Sequence, residues 1–205
     1  MDQSFDVLII GGGAAGMSCA LVLGSAKEKV FAKDKKIGII MHQKSSHLQT
    51  AVLNNALGLN PKTTGAGILK EGREQLSRSY DHVFQIKNEK VISAELTNGL
   101  YLLKTNKDTY VSKIIVVATG YTKFFNIKGL EKFVEPHQKA NPDKERIQLK
   151  NIDHKVVNGI YVAGTLAGWR SQFAIASGSG ASVATDILTI WNSGIHAHVH
   201  DKKEN

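Results

Sequence analysis

FDVLIIGGGAAGMSCALVLGSAKEKVFAKD, residues 5–34, is the stretch of sequence that decides the fold. Residues 5–10 form a compact apolar run that ends in glycine, the pattern of a buried parallel strand. Residues 14–25, rich in Ala and Leu, predict a helix, and residues 30–33 predict a second strand. Strand, turn, helix and strand form a βαβ unit of about 30 residues, the building block of a parallel sheet.

The spacing of the glycines between the first strand and the first helix is typical of a nucleotide-binding turn. In Gly11-x-Gly13-x-x-Gly16 they allow a tight turn and the close approach of a dinucleotide pyrophosphate to the helix N-terminus. Asp34 follows the second predicted strand, where a carboxylate can bind the ribose hydroxyls of adenosine. The alternative is that the glycines form a turn without a ligand and that Asp34 is a solvated surface charge. The pattern predicts a Rossmann-type α/β fold that binds a dinucleotide.

Antiparallel strands are predicted in the middle of the chain. Residues 35–67 are expected to form a long loop with a short helix near 51–57, followed by a helix over 68–80. Short alternating runs over 82–118, with Asn98-Gly99 as a hairpin signal, predict a β-meander that leads into a buried strand at its end.

The last predicted elements complete a three-layer fold. Residues 160–163 predict another buried strand and residues 173–191 a final helix, whereas residues 121–158 are polar and poorly periodic. The predicted class is α/β, with a central parallel sheet and an antiparallel β-meander. We expect one domain over residues 1–194 and a flexible tail over 195–205.

Composition and charge exclude several classes of protein. The chain of 205 residues is 42% hydrophobic with 19 glycines, enough for a core. Its net charge of +8 comes from scattered lysines without interleaved aromatic residues, which argues against nucleic acid. The apolar stretches fall short of the roughly 20 residues that a membrane span needs, and no signal peptide is evident. The cytoplasm is the expected location.

Cysteine and histidine residues indicate little catalytic chemistry. Cys19 is the one cysteine in the sequence, so the chain has no C-x-x-C pair, and we expect it to be a small buried side chain. The alternating histidines of 196–200 could bind a metal, but a solvated tail is the default and no metal site is predicted. His42 and His47 could be an acid or base or simple surface histidines, so no catalytic residue is named.

Several segments together resemble the FAD-binding half of thioredoxin-reductase-like flavoproteins. They are VLIIGGGAAGMSCALVL at 7–23, NNALGL at 54–59, GREQL at 72–76, IIVVATGY at 114–121, and GIYVAGT and SQFAIASGSGA between 159 and 181. Their order and spacing match the family over most of the chain, except for about 121–145 and the tail. The resemblance implies that the dinucleotide is FAD.

The resemblance also implies roles for individual residues. In that family the Ala118-Thr119-Gly120 turn passes close to the dinucleotide, and a glycine equivalent to Gly164 packs near the pyrophosphate. The family's Asp after this glycine is Thr165 here, which retains one hydrogen bond but loses a charge.

The residues that the resemblance places near the flavin each have an alternative explanation. Gln172-Phe173 begins the final helix, whose N–H groups face the flavin in similar proteins, although an ordinary helix start remains an alternative. Asn55 approaches the flavin ring or is a turn residue, and Trp169 and Arg170 are candidates to cover the ring. The predicted cofactor-binding residues are Gly11, Gly13, Ala14, Ala15, Gly16, Asp34, Lys35, Asn55, Val91, Ala118, Thr119, Gly120, Gly164, Thr165, Gln172 and Phe173.

Departures from the family shape the functional hypotheses. Thioredoxin-reductase-like enzymes insert an NADPH domain where this chain has only residues 121–158, too short for a second Rossmann domain. The first hypothesis is an FAD-dependent oxidoreductase that free NAD(P)H or a partner protein reduces. Alternatives are a non-catalytic flavin- or nucleotide-binding module and an NAD-binding Rossmann protein. A homodimer through the surface that the missing domain leaves exposed is a further expectation.

Overall fold

The fold comes from a computed structural model, which describes residues 4–42, 46–197 and 199. Its helices are α1 Ala14–Gly24, α2 Gly65–Ser79 and α3 Phe173–Trp191. Its strands are β1 Ser4–Ile10, β2 Ile37–Met41, β3 Val52–Leu53, β4 Thr63–Thr64, β5 Phe84–Lys87, β6 Val91–Thr97, β7 Leu100–Thr105, β8 Thr109–Val117, β9 Val134–Pro136, β10 Ile147–Leu149, β11 Lys155–Val157 and β12 Ile160–Val162.

A twisted sheet of mostly parallel strands organises the chain. Its order is β11-β12-β8-β1-β2-β5, and every neighbouring pair from β12 to β5 is parallel. The central strands are apolar on both faces because layers cover both sides of a parallel sheet. This arrangement confirms the predicted fold class, and it brings the carboxyl ends of five strands to one edge.

The second strand lies further along the chain than the sequence analysis expected. The predicted strand at 30–33 is wrong: those residues form turns, Val30 is 83% exposed, and β2 is the fully buried Ile37–Met41. Gly38 interrupts the apolar run of β2 and thereby weakens the strand signal in the sequence. A Cβ on Gly38 would lie 2.6 Å from Leu8 Cδ1. The packing of β1 against β2 therefore requires the glycine that weakened the strand signal.

The sheet separates two cores. On one face α1, α2 and α3 pack against the sheet through a cluster that includes Leu23, Leu76 and Val183. On the other face the meander of β6, β7 and β8 covers a second cluster that includes Leu8 and Leu103. The three layers are thus helices, sheet and meander.

The meander differs in one respect from its expected form. Asn98 and Gly99 have φ values of 51° and 79°, as the predicted hairpin turn requires. The first alternating run, however, forms β5, which pairs in parallel with β2 at the sheet edge and lies outside the meander. The helix expected near 51–57 is wrong as well, because this segment contains β3, while a 3-10 turn covers His47–Thr50.

The segment 121–158 is an ordered part of the second core. Strands β9 and β10 pair in an antiparallel ladder, and Leu130 and Leu149 are fully buried. Ile127 joins the same apolar cluster. Its apolar residues are few and widely spaced, which explains why the sequence shows no periodicity.

Helix α3 confirms the final helix predicted over 173–191, but its apolar character and the residues after it depart from expectation. By length and composition α3 could cross a membrane, contrary to the sequence analysis, although it packs against α1 within the fold. Ala197, within the predicted tail, is buried, and its N–H donates to the Thr189 hydroxyl at 3.2 Å. Ile195, at the start of the predicted tail, is exposed, whereas Val199 packs against the apolar cluster of the helical face. His198 and residues 200–205 of the tail lie outside the described residues.

Candidate functional site

A cavity of about 600 Å³ opens at the carboxyl edge of the parallel strands. The loops that follow β1, β2, β5, β8 and β12 all contribute lining residues. Ligands of open α/β sheets bind at this edge, and the volume lies in the usual range for small-molecule sites. We call this space the nucleotide cavity.

Close backbone contacts form the floor of the nucleotide cavity. Gly11 has φ +114°, and a Cβ on it would collide with the carbonyl oxygen of Ala118. A Cβ on Gly16 would collide with the carbonyl oxygen of Gly11. These contacts draw the turn after β1 against the start of α1 and the end of β8, which leaves room for a ligand pyrophosphate.

Two helices begin at the cavity. Gly13 precedes α1 and Gln172 precedes α3, and within the described residues no side chain caps either N-terminus. Neither first turn contains an acidic residue that would compete with an anion. The first amide N–H groups of both helices are thus suited to negative charge.

Twelve of the sixteen predicted cofactor-binding residues line the cavity. They are Gly11, Gly13, Ala14, Ala15, Val91, Ala118, Thr119, Gly120, Gly164, Thr165, Gln172 and Phe173. Gly16 lies behind the floor and acts through its packing on Gly11. Asn55 is exposed and does not line the cavity, so the structure favours the turn alternative for it.

Asp34 and Lys35 require a correction. Both precede β2 and therefore lie at the amino edge of the sheet, opposite the glycine turn. Asp34 is exposed there and does not line the cavity. The connection from α1 to β2 is longer than the spacing suggested, so the structure does not bring Asp34 to the expected place, and its ribose contact stays a prediction.

Where β2 and β5 border the cavity, His42 and Glu89 line it and Asp34 does not. His42 follows β2 directly, and Glu89 follows β5. The Glu89 carboxylate accepts hydrogen bonds from the Thr105 hydroxyl at 2.6 Å and from the Tyr110 hydroxyl at 3.1 Å. Burial, with Glu89 beside it, raises the pKa of Tyr110 to about 12. Glu89 is thereby tied to the meander.

An aromatic and basic cluster, which we call the rim, borders the other part of the opening. The Tyr121 ring meets the rings of His47 and His137 edge-on, at centroid distances of 5.6 and 5.4 Å, and the Arg146 guanidinium lies 4.8 Å from its centroid. Burial, together with the Arg146 charge, lowers the pKa of His47. Phe124, 78% exposed, also borders the cavity. Both histidines considered as acid or base, His42 and His47, therefore face the cavity.

A buried polar chain lies behind Gly164. The Gly164 N–H donates to the Ser179 hydroxyl at 2.8 Å, and the same oxygen is 2.8 Å from His154 Nε2. The imidazole ring of His154 stacks on Trp169 at 5.7 Å, and burial lowers its pKa. Trp169 thus packs on His154, and neither it nor Arg170 lines the cavity, contrary to the suggestion that they cover the ring.

Cysteine and metal chemistry find no support in the described part of the chain. Cys19 is fully buried in α1, and burial raises the pKa of its thiol. Residues 4–42, 46–197 and 199 contain no group of three or more His, Cys, Asp or Glu that could hold a metal ion. His198 and His200 of the histidine run lie outside the described residues.

Most side chains that surround the opening were not predicted from the sequence. Tyr121, Thr122, Phe124 and Phe125 follow the Ala118-Thr119-Gly120 turn, and this proximity was a usable signal. Arg146 and His137 come from a segment without periodicity, and only the fold brings them to Tyr121.

Similarity to known proteins agrees with this geometry. The profile of a family described as pyridine nucleotide-disulphide oxidoreductase matches residues 5–178. A ferredoxin–NADP reductase of Streptococcus equi subsp. zooepidemicus is 30% identical over 128 residues, which cover 60% of this chain and 37% of that protein. The chain therefore spans little more than a third of the length of this curated relative.

Solved structures show the same fold. A thioredoxin reductase from Gloeobacter violaceus superposes with a TM-score of 0.73 and 15% identity, covering 100% of both chains. A ferredoxin-flavin thioredoxin reductase from Clostridium acetobutylicum superposes with a TM-score of 0.67 and 17% identity, covering 94% of this chain and 99% of that one. At such low identity the likeness extends to the fold alone.

Proposed function

This chain belongs to the pyridine nucleotide-disulphide oxidoreductase family, and from that premise we propose that it binds FAD and acts as an FAD-dependent oxidoreductase. One observation carries the proposal: α1 and α3 both begin, without side-chain caps from the described residues, at one cavity of about 600 Å³. Such a pair of positive helix ends suits a ligand with a pyrophosphate and a second electron-rich group.

Each part of the cavity has a role in this proposal. The turn from Gly11 to Ala15 holds the pyrophosphate, and Gly164 with Thr165 contacts the chain of atoms between pyrophosphate and flavin. Val91 and the turn from Ala118 to Gly120 border the adenosine. The start of α3 at Gln172 and Phe173 stabilises the negative charge of the reduced state. FAD, when bound, supplies the electron transfer, while the protein binds and orients it.

The electron donor in this proposal comes from outside the chain. Free NAD(P)H or a partner protein reaches the flavin at the open side of the cavity, where exposed Phe124 provides an apolar contact. Cys19 is buried and its thiol pKa is raised, so we propose that this chain does not reduce disulfides through a cysteine of its own. The location is the cytoplasm, and a homodimer belongs to the same proposal.

A second candidate is a non-catalytic flavin- or nucleotide-binding module. One observation favours it: Thr165 stands where the resembled family has an Asp, so a charged hydrogen-bond acceptor is lost. Such a module would bind the nucleotide and change its contacts with a partner according to redox state.

An anaerobic absorbance experiment separates the two candidates. The purified chain is loaded with FAD, freed of excess cofactor and titrated with NADH and NADPH without oxygen. We expect visible flavin bands that bleach with at least one of the two reductants. Bands that persist would favour a partner donor or the non-catalytic module. The complete absence of bound flavin would refute both the enzyme and an FAD-binding module.

A further inference from the structure

A second concavity, which we call the basic groove, lies beside the nucleotide cavity. The end of β2, the outer side of α2 and the end of β5 enclose about 600 Å³. Its charged lining residues are Lys70, Arg73, Glu74, Arg78 and Lys87, four cations against one carboxylate. The groove therefore concentrates positive charge at one place on the surface.

The basic groove is continuous with the end of the nucleotide cavity that β2 and β5 border. Under the proposed function this end holds the adenosine, and we call it the adenosine end. His42, the residue after β2, lines both spaces. The register between β2 and β5 pairs Met41 with Lys87, which brings that lysine beside the end of β2. In Rossmann folds, the residues at this position meet the hydroxyls of the adenosine ribose.

The loop after β2, where Rossmann folds usually have the acid that meets a free ribose hydroxyl, contains no acidic residue. After Asp34, which lies at the amino edge, the next acidic residue in the sequence is Glu71. Glu74 is the one carboxylate among the described residues that line the groove, and it is 3.9 Å from the Lys70 ammonium. Glu89 of the nucleotide cavity already accepts hydrogen bonds from Thr105 and Tyr110.

Cations in place of that acid favour a phosphate over a hydroxyl. A carboxylate at the end of the second strand selects a free 2′-hydroxyl, whereas Arg near the same point accommodates a 2′-phosphate. Lys70 and Arg73 lie three positions apart on α2, so their side chains are neighbours on the surface of the helix, next to the Glu74 carboxylate that pairs with Lys70. The planar guanidinium of half-buried Arg73 can bind phosphate oxygens in pairs.

From these observations we propose that the basic groove is a phosphomonoester site next to the adenosine end of the nucleotide cavity. The phosphate has two possible sources. It is either the 2′-phosphate of an adenosine nucleotide that occupies the cavity or part of a separate phosphorylated molecule beside bound FAD. The assignment goes beyond the proposed oxidoreductase function and concerns only the groove.

The test compares two probes on the full chain, 2′,5′-ADP and 5′-AMP, by calorimetric titration without FAD. We expect 2′,5′-ADP to bind about tenfold more tightly, the factor that one charge-assisted hydrogen bond contributes. The double variant Arg73→Gln with Lys87→Gln should lose most of this difference. The control Lys104→Gln with Lys128→Gln removes two exposed charges elsewhere and should retain it.

Further measurements identify the source of the phosphate. Titration of 2′,5′-ADP into the FAD-loaded chain shows competition if the phosphate belongs to the nucleotide in the cavity. Simultaneous binding shows a separate phosphorylated molecule, and both outcomes support the groove as a phosphate site. Equal affinities for the two probes, no binding of 2′,5′-ADP, or a difference undiminished in the folded groove variant would overturn the proposal. Thermal melting verifies folding, and the flavin spectrum reads FAD binding independently.

Discussion

The floor and the rim of the nucleotide cavity are built in different ways. At the floor, backbone meets backbone: Gly11 approaches the Ala118 carbonyl, and Gly16 approaches that of Gly11. At the rim, side chains meet side chains, as Tyr121 contacts His47 and Arg146. Backbone contact demands glycine at set positions, whereas side-chain contact accepts many residue types. Only the floor therefore leaves a motif in the sequence.

The largest expected effect comes from crowding the floor. In Gly16→Val the new side chain collides with the Gly11 carbonyl, so the free energy of unfolding should fall by about 3 kcal/mol and FAD binding should be lost. Urea denaturation and the flavin spectrum measure the two effects.

Gly178→Val is the matched control, since Gly178 is also helical and a Cβ there meets nothing within 4 Å. Its free energy of unfolding should change by less than about 0.5 kcal/mol. If both variants lost equal stability, close backbone approach would not be what distinguishes the floor.

The next effect concerns the polar chain behind the floor, at His154. In His154→Gln the contacts with Ser179 and Trp169 are lost, and the free energy of unfolding at pH 7.5 should fall by about 1–2 kcal/mol. The variant should also depend less on pH than the wild type does.

The direction in which stability changes with pH follows from the pKa of His154, which burial lowers in the folded chain. Below about pH 6.5 the unfolded chain binds a proton that the folded chain refuses, so wild-type stability falls as the pH drops toward the folded pKa. Urea denaturation at pH 7.5 and 5.5 measures this slope. His47 and His82 have lowered pKa values too and leave a residual slope. An unchanged slope in His154→Gln would contradict the prediction.

A smaller effect is expected at the rim. Tyr121→Leu removes the aromatic contacts with His47 and His137 and the cation–π contact with Arg146, so FAD affinity should fall about two- to fivefold. Fluorescence titration of FAD measures the change. Tyr121→Phe keeps the ring and should match the wild type. A complete loss of FAD binding in Tyr121→Leu would show that the rim matters as much as the floor.

The smallest effect is expected at Asp34. Because this residue is exposed at the amino edge of the sheet, Asp34→Asn should change FAD affinity by less than about twofold. The same fluorescence titration measures it. A tenfold loss would support the ribose contact that the sequence motif suggested, and it would place the adenosine away from the nucleotide cavity.

Much of the fold could be predicted because its signals are local. The run 5–10, the helix after it and Asn98-Gly99 each combine a composition with a geometry that few other structures satisfy. The strand β2 was missed because Gly38 breaks its apolar run, although tertiary packing against Leu8 requires that glycine. With β2 misplaced, Asp34 was assigned to the wrong end of the sheet.

The amino-acid sequence by itself determined the parallel-sheet fold, the glycine turn and the family, because each depends on short segments whose order and spacing can be followed along the chain. Only the tertiary structure decided which side chains meet at the rim and in the basic groove. Arg146 reaches Tyr121, and Lys87 reaches the end of β2, across separations at which no spacing rule operates. Such contacts result from how the layers pack. Packing sets the volume and charge that a side chain may have, but it imposes no repeating pattern on the sequence.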